Sequence, residues 1–260
     1  SLQLALEEIN DENVIIIPRD SGFNDKDRLA SAIKDMRESD VKIIIGPTSF
    51  EEFDLIKKYN DLIFISPSNI NPEFLNNTIS IGVSLESQLM ALSEFIKKQK
   101  KTKTIVMYPK NEYLKLIETK LENLNLKNIK KFSYSPNPEI LTGEIEILTN
   151  YKQRKRNLEL RKKMFEDKED EQSIKQLERL EQLYTLGKVN FDSVIIIDFG
   201  NSLKSVLTSL VYTDVNQQNV LFTTINQWFD ESIFYENTIK NLYYPSVNYK
   251  EFQKYNNKYF

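Results

Sequence analysis

Short runs of β-branched and aliphatic residues, apolar without alternation, return along this chain, each followed by a stretch of helical spacing. The runs are VIIIP (14–18), VKIIIGP (41–47), LIFISP (62–67), TISIGV (78–83), TKTIVMYP (102–109), IKKFSYSP (129–136), FDSVIIIDFG (191–200), NVLFTTI (219–225) and IKNLYYPS (239–246). A strand that is apolar on both faces must be covered on both, which is the condition of a parallel sheet between helical layers. Residues 2–10, 25–39, 51–60, 86–100, 111–124 and 201–212 space their apolar side chains as amphipathic helices do. The expected fold is α/β with parallel central sheets. Several runs end in Pro or Gly, which stops a strand at the edge where α/β ligand sites form.

The stretch IIIGPTSFEEF (43–53) shows the pattern in one place: a strand, a Gly-Pro turn, and a helix start carrying Thr48 and Ser49. Unpaired backbone N–H groups at such a start can hold an anion. Ser49 and Glu52 also spell an S-x-x-E capping box, and capping is the first reading of these hydroxyls. The opening SLQLALEEIN reads as a helix with no strand ahead of it. A first strand and a C-terminal portion are therefore expected outside these 260 residues.

One segment breaks the alternation. Residues 144–188 are basic at Lys152, Arg154, Lys155 and Arg156, acidic over 166–171, then striped with Ile174, Leu177, Leu180 and Leu183. Apolar spacing of three and four on either side of the acidic EDKEDE predicts a helical hairpin. Its charge reads first as a solvated, salt-bridged insertion and second as a docking surface for a partner or an anionic polymer.

Composition closes most catalytic classes. The chain has no His and no Cys, which removes Ser-His-Asp and Cys-His chemistry, His-ligated metals, zinc ribbons and disulfides. Neither G-x-G-x-x-G nor a P-loop occurs among its six glycines, and no cofactor is expected. A net charge of −3 and a pI near 5.4 give no positive field to recruit nucleic acid. No apolar run reaches the length of a membrane span. Asp20 and Asp198 end strands and could form an acid pair, the one enzyme reading that survives.

The order of several stretches then resembles a known family. LALEEIN, IIIPRDSGFNDKDRLASAIKDM, VKIIIGPTS, LIFISPSNINPEF and TIVMYPKNEYLKLIETKL follow one another as in type I periplasmic binding proteins, the fold of leucine/isoleucine/valine-binding proteins. The tail YYPSVNYKEFQKYNNKYF is similar to the family's return to its first lobe. In YKQRKRNLELRKKM, FDSVIIIDFGNSLKSVLTSLVYTDV and NVLFTTINQWFDE the chain most resembles the penicillin-binding protein activator lipoproteins. The resemblance implies two Rossmann-like three-layer lobes. Lobe 1 takes residues 1–83 plus 246–260, and lobe 2 takes 84–245 with a helical hairpin inserted at about 144–188. Strand crossovers near Ser84 and Ser246 would let a cleft between the lobes close on a ligand.

The same resemblance places the candidate ligand contacts. Amino-acid carriers of this fold meet the ligand carboxylate with hydroxyls on two lobe-1 loops. Here those loops carry Thr48, Ser49 and Phe50, then Ser68, Asn69 and Ile70, so that Phe50 and Ile70 stand where small hydroxyl residues are expected. Tyr113 matches the aromatic that packs on the ligand, and Asn226 replaces the carboxylate that meets its ammonium. Trp228, the single Trp, reads as a core or cleft-rim anchor. A buried zwitterion lacking an anionic partner loses several kcal/mol, so a free amino acid is disfavoured. What the resemblance implies is a non-catalytic, periplasmic protein, with membrane attachment only through a lipid anchor outside this chain. It would regulate peptidoglycan synthesis through a penicillin-binding protein, or else deliver a small polar ligand to an ABC permease.

Overall fold

The computed structural model describes residues 2–22, 25–47, 52–67, 75–111, 113–124, 129–226 and 241–259. It divides into two compact units, Ser1–Ser84 and Leu85–Phe260.

The first unit holds a three-stranded parallel sheet, β1 (Ile43–Ile45), β2 (Ile63–Ser66) and β3 (Thr78–Ser80), in the order β1-β2-β3. The strands follow α1 (Leu2–Ile9) and α2 (Lys26–Glu38), and the short α3 (Phe53–Ile56) lies between β1 and β2. Asp25 caps α2 by accepting from the N–H groups of Asp27 and Arg28 at 3.1 and 3.0 Å. Leu29, Ala32, Ile33 and Met36 then recur at helical spacing and bury one face of α2. They pack with Phe53 and Ile56 of α3 against Ile44 and Phe64, which are paired in register on one face of the sheet. The opposite face presents Ile43, Ile45, Ile63 and Ile79, each about half-exposed.

Two expectations fail in this unit. The VIIIP run forms no strand: Val14, Ile15 and Ile16 are exposed and lie outside the β1-β2-β3 ladder. A β-branched run becomes a strand only by pairing, and no described neighbour pairs with it. The helix expected over 51–60 is reduced to α3, which starts at Phe53 with buried Glu52 at its N-cap. That start is later than a Ser49–Glu52 capping box would set it, and Ser49 lies outside the described residues.

The second unit is built on five parallel strands: β4 (Thr104–Pro109), β5 (Ile129–Tyr134), β6 (Ser193–Ile196), β7 (Leu221–Thr224) and β8 (Leu242–Tyr243), in the order β5-β4-β6-β7-β8. Both faces are covered, as the unalternating sequence requires. Ile105, Met107, Val194 and Ile196 face α6 (Pro138–Leu148) and α9 (Gly200–Tyr212). Val106, Tyr108, Ile195 and Ile197 face α4 (Leu85–Lys98) and α5 (Leu114–Asn123).

The helical segment resolves into α6, the crossover to β6, and a hairpin of α7 (Tyr151–Glu166) and α8 (Glu171–Glu181) that pack on each other. α6 begins at Pro138 behind an Asn137 cap, so the sheet's own layer extends into the stretch expected to be insertion. The final helix, α10 (Tyr249–Tyr259), expected with lobe 1, is grouped with the second unit and buries none of its side chains.

Candidate functional site

In the second unit β4 is flanked by β5 on one side and β6 on the other, so the crossovers leaving β4 and β6 part to opposite faces. Crevices of α/β sheets form at such a switch point, beyond the carboxyl ends of the strands. This rim is made by the residues after β4, β5, β6 and β7.

Three clasps hold it. Glu144 of α6 accepts from Lys110 Nζ at 2.8 Å and from the N–H of Ser135 at 2.6 Å, tying the β4 and β5 exits together. Burial alone would raise the Glu144 carboxyl, but the Lys110 and Ser135 hydrogen bonds outweigh it and hold the group below its ordinary value.

The second clasp is Asp198, just past β6 and 5% exposed. Its carboxylate accepts from Tyr134 Oη and Ser202 Oγ, each at 2.5 Å, and from the Phe199 N–H at 2.8 Å. Burial pushes Asp198 above the ordinary carboxylate value, against the lowering effect of its three donors. Burial, then the nearby carboxylate, raises Tyr134 as well, so its hydroxyl stays a donor.

The third clasp is Asn226. Its Nδ2 donates to the Pro245 carbonyl at 2.6 Å, and its N–H donates to Gln88 Oε1 at 2.7 Å. The end of β7 is thereby fastened to α4 and to the segment entering α10.

Of the residues singled out in the sequence, the structure brings Tyr113, Asp198 and Asn226 to this rim. Tyr113 stands at the N-cap of α5, its N–H on Asn111 Oδ1 at 3.0 Å, and packs against the core beneath α4 and α5. Thr48, Ser49, Phe50, Ser68, Asn69, Ile70 and Trp228 lie outside the described residues. Asp20, in the first unit, is exposed and pairs with Arg28 at 2.6 Å while accepting from the Gly22 N–H. Its role is to shape the turn into α2. Beside Gly46 and Pro47 the first unit has a cavity of about 110 Å³, lined also by Arg19 and Glu52.

Sequence reasoning missed Glu144, Gln88, Tyr134 and Ser202. Ser202 had a signal, since it follows Asp198 by one helical turn across a strand-to-helix junction. The other three act on partners far along the chain. Among the described residues no group of three or more acidic side chains could hold a metal ion.

Among the solved structures that match are three covering 99% of this chain. An ABC transporter substrate-binding protein from Desulfitobacterium hafniense matches with a TM-score of 0.63 and 13% identity, over 71% of its own length. The branched-chain amino acid binding protein LivJ from Streptococcus pneumoniae, in complex with isoleucine, gives 0.54, 15% and 70%. The C-domain of LpoA from Haemophilus influenzae, a regulator of PBP1A, gives 0.50, 11% and 73%.

The chain has the type I periplasmic binding protein fold.

The chain spans 38% of full-length LpoA from Haemophilus influenzae. No protein-family model and no curated protein matches the sequence. Among the described residues no helix is long and apolar enough to cross a membrane.

Proposed function

We propose that this type I fold works without catalysis, outside the cytoplasm, through contacts with another protein, and that its partner is a penicillin-binding protein whose peptidoglycan synthesis it regulates. The observation that carries the reading is Asn226. Asn226, which the sequence resemblance matches to a carboxylate of the amino-acid carriers, is an amide that donates to its own Pro245 carbonyl. A zwitterion's ammonium would find no anionic partner from that residue, and burying it so loses several kcal/mol. Asp198 and Glu144, the carboxylates described at this rim, are engaged in holding it. The LpoA C-domain, a regulator of PBP1A, shares the fold and gives the reading its partner class.

The test is direct. The purified chain, presented to a bifunctional penicillin-binding protein, binds it and raises its glycan-polymerising or transpeptidase rate. Absence of both binding and stimulation overturns the proposal.

A second reading is favoured by the higher TM-score to the ABC transporter binding protein: a receptor that delivers a small polar solute other than a standard amino acid to a permease. A thermal-shift panel of amides, nucleosides and sugars separates the two. A true ligand at a hundred times its Kd adds about 2.7 kcal/mol of stability, and a panel without shifts removes this reading.

A further inference from the structure

At the opposite, amino-terminal edge of the five-stranded sheet lies a crevice of about 330 Å³ that the rim does not share. Its floor includes Phe191, Val215 and Val220, all buried. Its polar lining includes Lys103, Arg154 and Lys188, with Asp192 and Asp214.

The carboxylates in it are committed. Asp192 accepts from the N–H groups of Thr102 and Lys103 at 2.8 and 2.9 Å. Burial opposes the charge of Asp192, but these hydrogen bonds outweigh it and keep the carboxyl below its ordinary value. Asp214 accepts from Thr185 Oγ1 at 2.5 Å and faces Arg154 at 3.7 Å.

The cations are not matched in the same way. Among the described residues Lys103 Nζ reaches only the neutral Asn190 Oδ1, at 3.4 Å, and Lys101 Nζ reaches the Asn219 carbonyl at 3.5 Å. Lys188 is exposed and has no ion-pair partner among the described residues. Three cations, Lys103, Arg154 and Lys188, thus line a cavity with two carboxylates, a surplus of one positive charge in a chain of net charge −3, and Lys101 lies beside it on the Asn219 carbonyl. The run KKQKKTK (97–103) carries the positive charge on along this edge. A concave site over an apolar floor concentrates that field and draws in anions.

We propose that this crevice binds a small phosphate monoester. Its dianionic phosphate meets the ammonium groups of Lys103 and Lys188, and its organic part lies over Phe191 and Val220. Arg154 lends charge more than hydrogen bonds, because its guanidinium already donates to the carbonyls of Gly187, Thr213 and Asp214 and to Thr185 Oγ1. The volume falls at the lower end of the roughly 300–1,000 Å³ common for ligand pockets. It leaves room beyond the phosphate, hence an ester.

Calorimetric titration with glycerol 3-phosphate, inorganic phosphate and uncharged glycerol at constant ionic strength tests this. The expected result is saturable binding of the ester, weaker binding of inorganic phosphate and none of glycerol. Lys103→Gln with Lys188→Gln weakens ester binding by about tenfold or more. Circular dichroism checks that the double variant folds; Lys188→Gln alone, on an exposed side chain, is the fallback. Stronger binding of inorganic phosphate than of the ester overturns the ester assignment. Equal binding by wild type and variant, or no saturable binding of either phosphate, overturns the site.

Discussion

Arg154→Ala lowers the unfolding free energy by about 3–5 kcal/mol, the range for removing one member of a buried, hydrogen-bonded charge network. The Arg154 side chain is 8% exposed and reaches from α7 to the loops holding Thr185, Gly187, Thr213 and Asp214. Nε donates to the Gly187 carbonyl at 3.1 Å, Nη1 to Thr213 at 3.0 Å, and Nη2 to Asp214 at 3.2 Å and to Thr185 Oγ1 at 2.7 Å. Burial pulls the guanidinium below its ordinary value, an effect that the Asp214 carboxylate opposes. Without the side chain three carbonyls lose a donor, and each buried group left unpaired costs about 1–3 kcal/mol. Arg154→Lys recovers little, because a compact ammonium cannot span acceptors that a planar fork reaches together. Urea unfolding gives the energy. Limited proteolysis gives the location, with new cleavage confined to the α7–α8 hairpin. A loss below about 1 kcal/mol would mean that these contacts are replaced by water.

The second large effect is at Asp198. Asp198→Ala costs about 2–3 kcal/mol near neutral pH, because the buried Tyr134 hydroxyl and the Phe199 N–H lose their acceptor while a desolvated charge is also relieved. Asp198→Asn isolates the charge. The native carboxyl titrates above its reference value of 3.8, so between that value and the native pKa the folded chain holds a proton that the unfolded chain has released. The contribution of this group is therefore full at low pH and is lost as pH rises through the native pKa. Urea titrations at about pH 4.5 and about pH 7 should show the Asn variant gaining on the wild type at the higher pH. Parallel profiles would show that Asp198 titrates as it does in the unfolded chain.

The contrast between Asp198 and Arg154 shows what a sequence can carry. FDSVIIIDFG announces a buried parallel strand with an acid at its exit, and the structure places both there. The runs that became β4, β6 and β7 were equally plain, since unbroken apolar stretches admit few other solutions. The hairpin was legible from the spacing of its apolar residues. Arg154 was read only as part of a basic opening. Its acceptors are backbone carbonyls 33 to 60 positions away, and a carbonyl leaves no residue-type signature. One trace existed: Arg154 and Leu158 occupy the same buried stripe of α7 at i and i+4, an odd place for a charge without partners. Likewise the family resemblance singles out Asn226, but its bond to Pro245 depends on where the chain returns. VIIIP misled for the complementary reason. Its composition is right for a strand, yet pairing is a property of two segments and was never in the run itself.

The bare isoleucine face of the three-stranded sheet has a consequence for how the protein comes apart. Among the described residues these strands of three or four residues are covered on one side, whereas β4 and β6 are covered on both. Local opening is cheapest where few apolar contacts are lost, and amide exchange reports it. Deuterium should therefore enter β1, β2 and β3 well before it enters β4 and β6, whose slow amides mark the part of the chain that opens last. Equal protection in the two sheets would contradict this order. Earlier exchange in β1, β2 and β3 would instead mark Ser1–Ser84 as the unit that opens first.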